Sequence, residues 1–315
     1  MLSCIILTLG TIVAQSTTPA LRVVVANDVV ADLVRAVADH DVDIIQIGRS
    51  GGDPHHFEPT PADAKQVESA DLVIQFGLGL DRGLGEMHKS TGSKATVLVV
   101  ADGLADAGAV DASHASDTHD DHDHDHKHEH AHATAGVDPH IWHDPTKVRV
   151  LIERICAALS AARPDLAEKF RARSREYDSQ LVKLDEWIKS QVERIPQSKR
   201  VLVTTHDGLR WFGTRFGFRV VAIEMMSGSV EGADPSPAQI MKLVMAVRES
   251  GSSAVFGDAA HPSRSAATVA REAKVRLIES LRLDSLLQPP AGKEGKAYLE
   301  TMRSNVTAIV EALQE

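Results

Sequence analysis

Sixteen histidines occur in the chain, and eight of them (His114, His119, His122, His124, His126, His128, His130 and His132) fall in one acidic run. Imidazole is the commonest protein ligand for zinc, copper and nickel, so the run points to transition-metal chemistry. Composition alone assigns that role, and a solvated linker would look the same. The tract is expected to collect metal loosely, with His119, His122, His124, His126, His128 and His130 as auxiliary contacts. The segment that follows, Asp138-Pro139-His140-Ile141-Trp142-His143-Asp144-Pro145, mixes ligand, aromatic and proline residues and reads as part of a built site.

Three other stretches carry ligand-type residues near the ends of apolar runs. Asp53-Pro54-His55-His56-Phe57-Glu58-Pro59-Thr60-Pro61 holds His55 and His56 in a loop stiffened by prolines. His206 follows Val201-Leu202-Val203-Thr204-Thr205, and Asp284 follows the run from Arg276 to Leu283. A lone histidine at a strand end is more often a hydrogen-bonded structural residue than a ligand, so the weight falls on the combination of His55, His140, His206 and Asp284. Asp138, Asp144 and Asp207 stand where each could fix a histidine tautomer or cap a helix. His261, after Asp258, is a further candidate, while His40 and His88 read as surface residues.

The formal charge is -10, and between residues 111 and 132 seven acids against Lys127 supply six of those charges. The remainder is mildly acidic, which leaves no basic field for nucleic acid. Cys4 and Cys156 are too few for a disulfide framework or a thiolate zinc site, and Cys4 lies too close to Met1 to look like a lipid-attachment cysteine. Residues 1–20 read as an export signal. Ile5, Ile6, Leu7, Leu9, Ile12 and Val13 form its apolar run, with cleavage expected near Ala14 or Ala20 and no charged leading region. That run is too short to span a bilayer comfortably.

Hydrophobic patterning supplies the elements that must position these residues. Runs at 21–26, 42–47, 71–76 and 95–100 read as strands with helices between them, and Asp28 is expected to cap the first helix. This βαβ opening favours a parallel sheet. Residues 102–137 are low in apolar content and too long for an ordinary connection. Between Pro164 and Pro196, Leu166, Phe170, Tyr177, Leu181, Leu184, Ile188, Val192 and Ile195 recur mostly at three- and four-residue steps, which predicts one helix of roughly 48 Å at about 1.5 Å per residue. Strands restart at 201–205, 218–223, 254–256 and 275–283. The expected architecture is α/β. Two parallel (β/α)4 lobes, 21–163 (with a His/Asp-rich loop at 111–135) and 197–315, are joined by a backbone helix at 164–196. Open α/β sheets bind ligands beyond the carboxyl ends of their strands, so each lobe is expected to offer two of the four candidates.

Taken in order, the motifs resemble the metal-binding solute-binding proteins of zinc and manganese ABC transporters. They are Asp53-Pro54-His55 with Glu58-Pro59-Thr60-Pro61; Asp138-Pro139-His140 with Trp142; Thr205-His206-Asp207 with Trp211-Phe212; and Leu283-Asp284-Ser285 with Gly292-Lys293-Glu294-Gly295 and Tyr298. The resemblance covers nearly all of the chain after residue 20. It implies that His55, His140, His206 and Asp284 are metal ligands buried between the lobes, and that the protein is not an enzyme. In that family the third position tends to be a carboxylate in manganese binders and a histidine in zinc binders. Three imidazoles and one carboxylate also suit tetrahedral zinc, so His206 implies Zn(II).

The implied function is a monomeric periplasmic protein that captures zinc and delivers it to a membrane permease with its ATPase. A periplasmic zinc chaperone is a further partner on this reading. A periplasmic metal buffer or chaperone, or a manganese-binding member of the family, is the alternative. Two residues depart from the family pattern. His56 beside His55 leaves the first ligand open between them, and His143 stands where the family usually has an apolar residue. Either could relay metal, support a ligand from behind or lie at the surface. A zinc hydrolase would keep a coordination position open for water and need a general base, whereas four ligands and no dedicated base are found here.

Overall fold

A computed structural model describes residues 19–48, 54–105, 137–223, 235–288 and 294–314. The tract histidines His119, His122, His124, His126, His128 and His130, Asp53, the side chain of His56 and all but the last two residues of the expected signal segment lie outside the described residues.

The first lobe runs β1 (Leu21–Val25), α1 (Asp28–Ala38), β2 (Val42–Gln46), α2 (Pro61–Glu68), β3 (Leu72–Gln75), α3 (Arg82–Thr91) and β4 (Thr96–Val99). Its strands pair in parallel in the order β2-β1-β3-β4. Helices α4 (Pro145–Ala162) and α5 (Ala167–Val192) follow. The second lobe runs β5 (Val201–Thr204), α6 (Arg210–Phe216), β6 (Arg219–Ala222), α7 (Pro237–Ser250), β7 (Ala254–Asp258), α8 (Arg264–Ala273), β8 (Arg276–Leu281) and α9 (Ala297–Gln314). Its order, β6-β5-β7-β8, is also all parallel and repeats the topology of the first lobe. The expected α/β architecture is therefore present.

Local chemistry explains the boundaries. β1 reads Leu-Arg-Val-Val-Val, and its three valines are fully buried, as a strand covered on both faces requires. The cap of α1 is Asn27 rather than the expected Asp28. Asn27 is extended and its Oδ1 accepts from Val30 N at 2.9 Å, while Asp28 sits in the first turn where its charge suits the helix dipole. Helix α5 is shorter than the run expected between Pro164 and Pro196. Pro164 opens a 3-10 turn, Pro164–Leu166, and the α-helix stops at Val192, which leaves 26 residues, or about 39 Å at about 1.5 Å per residue.

That helix packs on α1 and α4 from one lobe and on α6 and α9 from the other. Phe170, Tyr177, Leu181, Leu184 and Ile188 line its buried face, and they belong to one apolar cluster that also takes in Leu33 of α1, Phe212 of α6 and Val306 of α9. Smaller clusters cover the outer faces of the two sheets, around Val73 and Leu84 in the first lobe and around Val203 and Val244 in the second. Polar ties reinforce the shared core. Asp32 of α1 accepts from Ala297 N at 3.1 Å and Tyr298 N at 2.9 Å, capping α9 from the opposite lobe. The Tyr298 hydroxyl donates to the carbonyl of Trp142 at 2.8 Å. Gly295 has φ of +77°, and a Cβ there would lie 2.7 Å from Ala36 N, so α1 and the turn before α9 approach as closely as they do because this residue is glycine.

Burial pushes the Asp32 carboxyl up to about 6, against the pull of the Tyr298, Ala297 and Gly295 backbone N–H groups and of Arg35. A carboxyl raised in the folded state favours folding at low pH, and that contribution is lost as pH rises from about 4 through about 6, by at most roughly 3 kcal/mol. Thermal unfolding of Asp32→Asn beside the wild type should therefore show the variant gaining ground as pH rises from about 4 to about 6.5. A parallel pair of curves would mean that Asp32 keeps an ordinary pKa.

Candidate metal centre

Both lobes deliver their ligand-type residues from the carboxyl edges of their sheets. In the second lobe His206 lies just past β5 and Asp284 just past β8. In the first, a 3-10 turn, Pro54–His56, carries His55, and the loop is pinned beyond it by Thr60 and Asp63, which cap α2 reciprocally. His140 precedes a second 3-10 turn, Ile141–His143, after which Asp144 caps α4 by accepting from Thr146 N at 2.9 Å.

Asp284 is the hub on which these elements converge. Its Oδ1 lies 3.0 Å from His140 Nε2 and 3.7 Å from His55 Nε2, and its Oδ2 lies 3.1 Å from His206 Nε2. The Nε2 atoms of His55 and His140 are 3.1 Å apart. Ligand atoms of His55, His140 and Asp284 all fall within 4.8 Å of one another, a spacing that one ion about 2 Å from each donor can bridge. His206 joins through the other carboxylate oxygen, with its ring centroid 5.5 Å from that of His140. The four candidate residues are thus brought together, three tightly and His206 from the side. Asp284 and His140 are buried, whereas His55 faces solvent.

The surroundings hold this cluster in place. Asp138 Oδ1 accepts from the His140 backbone N at 2.9 Å and stands 2.7 Å from Nδ1, an arrangement that puts a proton on Nδ1 and aims Nε2 at the hub. Trp142 packs edge-on against the His140 ring at 5.1 Å between centroids and donates from Nε1 to the Leu283 carbonyl at 3.2 Å. Trp211, from the opposite lobe, donates to the Asp138 carbonyl at 3.1 Å. Phe212 lies farther back, against Phe216 and Phe218.

Burial of His140 opposes its protonation, but the hydrogen bond to Asp138, the close approach of Asp284 and the charges of both outweigh this and raise it to about 9. Burial likewise disfavours the Asp284 carboxylate, yet its contacts with His140, His206 and His55 hold it well below the usual range. Although Asp284 Oδ1 is within ion-pair distance of His140, it is buried without an aligned hydrogen-bond donor. A buried anionic oxygen of that kind suits a cation.

Several residues resolve alternatives left open by the sequence. His143 is 1% exposed, which rules out a surface position. Its Nε2 donates to the Leu283 carbonyl at 2.9 Å, so it braces the residue preceding Asp284, and burial with the nearby charge of His140 lowers it to about 4, leaving it neutral. Asp144 is a helix cap and Asp207 pairs with Arg210. His88 is half-buried and bonds the Ala95 carbonyl at 3.1 Å. Sequence reasoning missed Gly208 and Asp258. A Cβ on Gly208 would lie 2.8 Å from His206 Nε2, so its glycine leaves room for the ring. Asp258 Oδ2 accepts from the backbone N of Leu283 at 3.1 Å and of Asp284 at 3.3 Å and so positions the hub. Its place at the end of a strand was the available signal.

Fold and site together describe a two-lobed binding protein whose polar groups converge at the cleft from both sheets. The family model "ZnuA: Zinc-uptake complex component A periplasmic" matches residues 23–312, and the chain belongs to that family. Its members are substrate-binding transport proteins rather than enzymes, and the chain is accordingly an exported, metal-binding component of an ABC transport system. Among its relatives, the manganese-binding lipoprotein MntA of Halalkalibacterium halodurans is 28% identical over 295 residues, covering 94% of this chain and 89% of that protein. The manganese ABC transporter substrate-binding lipoprotein PsaA of Streptococcus mitis is 27% identical over 293 residues, with 93% and 89% covered. The periplasmic zinc binding protein TroA from Treponema pallidum shares the fold, with a TM-score of 0.75 at 24% identity over 94% of this chain and 99% of TroA.

Replacing Gly208 by alanine should push the His206 ring aside while leaving the fold intact. Metal affinity measured by competition titration is expected to fall about 10- to 100-fold, with an unchanged circular dichroism spectrum. Wild-type affinity in this variant would show that His206 takes no part in binding.

Proposed function

We propose that this protein captures Zn(II) in the periplasm with His55, His140, His206 and Asp284 and delivers it to a membrane permease driven by its ATPase. The observation that supports this most is the donor set around one buried carboxylate. Three imidazole nitrogens approach the two oxygens of Asp284, and neutral imidazole with one carboxylate is the donor mixture that tetrahedral zinc prefers. His55 is the first ligand on this reading, since its Nε2 meets that of His140. His143 stays behind the site as a brace, and the His-rich tract gathers zinc ahead of it.

A manganese cargo is the second reading, favoured by relatives whose names are manganese-binding. Manganese prefers more oxygen than this set offers. Direct competition between the two ions separates the readings, and zinc is expected to displace manganese. His206→Ala should abolish tight zinc binding, whereas a chain lacking residues 113–134 should keep it. Full-affinity zinc binding by His206→Ala would refute the assignment.

The pH dependence follows from the same geometry. An ion taking His140 Nε2 must expel the proton that the raised site, at about 9, retains in neutral solution. Zinc affinity should therefore fall as pH drops below about 9, well above the 6.5 of free imidazole, with a proton released on binding. Calorimetry in buffers of different ionisation enthalpy measures that release. A flat profile between about 7 and 9 would place the His140 proton elsewhere.

A further inference from the structure

The carboxylate of Asp284 also faces a group that the cleft site does not use. Ligand atoms of Asp258, His261 and Asp284 lie within 4.8 Å of one another. Topology makes this meeting a consequence of the fold. In the order β6-β5-β7-β8, strand β7 lies between the strand that leads to His206 and the strand that leads to Asp284. The loop after β7 therefore emerges beside both. Asp258 ends that strand, the Ala259 N donates to the Leu281 carbonyl at 2.8 Å, and His261 N donates back to the Asp258 carbonyl at 3.2 Å. This tight turn returns an exposed imidazole over the strand end.

Asp258 is 1% exposed, and no Lys or Arg side chain pairs with it among the described residues. Its Oδ1 accepts from Ala260 N at 2.6 Å, and its Oδ2 accepts from Leu283 N and Asp284 N. Those bonds hold the carboxylate in place, and Oδ1, which takes a single donor, keeps a further lone pair. A buried carboxylate held rigidly beside a second one, Asp284, with an imidazole on the solvent side, is an arrangement that a cation stabilises and that two bare anions disfavour.

We propose a second, weaker divalent-cation position held by Asp258, His261 and Asp284, bridged to the cleft site through Asp284 and serving as a waiting place for the transported ion. It rests on the reading of Asp284 as a cleft ligand. The exposed His261 takes the hydrated ion first, and the buried carboxylates then draw it inward. Because Asp284 belongs to both positions, the ion exchanges ligands one at a time and never has to shed its whole water shell at once. Two carboxylates and one imidazole form a more oxygen-rich set than the cleft, and repulsion from an ion already in the cleft weakens the outer position further.

The test uses crystals of the full chain grown with zinc in excess, with anomalous data collected on both sides of the zinc edge, for the wild type and for His261→Ala. His261 is exposed, so the variant keeps its fold. Two peaks are expected in the wild type, one in the cleft and one touching Asp258, His261 and Asp284, with only the second lost in the variant. The proposal is overturned by a cleft peak alone in the wild type, by an outer peak that survives in His261→Ala, or by a peak on His261 completed by a neighbouring molecule without Asp258. Absence of the cleft peak overturns the cleft reading itself and with it the sharing of Asp284, so the two failures are told apart. In solution, stripping of zinc by a chelator should slow several-fold in His261→Ala, and equal rates overturn the role in transfer.

Discussion

A carboxylate buried in the cleft is the constraint around which this protein is built. An ionised group removed from water costs several kcal/mol unless positive charge and hydrogen bonds compensate it. Asp284 meets that demand with three imidazoles drawn from two lobes, and two of these and the carboxylate itself have supports of their own. Asp138 orients His140, Gly208 makes space for His206, and Asp258 holds the Asp284 backbone. The buried charge thereby explains why so many polar residues sit where two apolar lobes meet.

The lobes are not free to swing about that charge. Leu33, Phe170, Leu184, Phe212 and Val306 belong to one apolar cluster that passes through α5, and separating the lobes would expose it. Asp32 capping α9 and Tyr298 bonding the Trp142 carbonyl add directional ties across the same boundary. Trp142 and His143 both donate to the Leu283 carbonyl, so the His140 segment and the Asp284 segment are joined directly behind the site. Such a frame favours small adjustments of loops such as that of His55 over a wide hinge. A preformed site of this kind lowers the ordering cost of binding and keeps its donors at fixed spacing, which is what discriminates among ions of similar charge.

Local chemistry in the sequence determined a good deal. Valine-rich runs that must be buried on both faces require parallel strands between helices, and the motifs at His55, His206 and Asp284 follow those runs at points where loops of α/β sheets converge. Patterns of this kind are short-range, and a chain of one residue type after another carries them openly. The apolar spacing in α5 was equally legible, although its ends were not, because Pro164 and the turn after Val192 compete with the helix through backbone geometry.

Only the tertiary structure decided what depends on residues far apart in the chain. His143 reads equally as a metal relay, a support behind a ligand or a surface residue until the Leu283 carbonyl, contributed by the other lobe, accepts its proton. Asp258 has no evident role until parallel pairing sets β7 beside β8 and its oxygen receives the Asp284 N–H. The proton on His140 depends on two carboxylates, one two residues away and the other in the opposite lobe. Residue types and spacing thus determined which atoms could bind a metal. Burial and long-range packing determined which of them face one another, because electrostatic and hydrogen-bonding strength depends on distance and on the exclusion of water, and neither is written in local sequence.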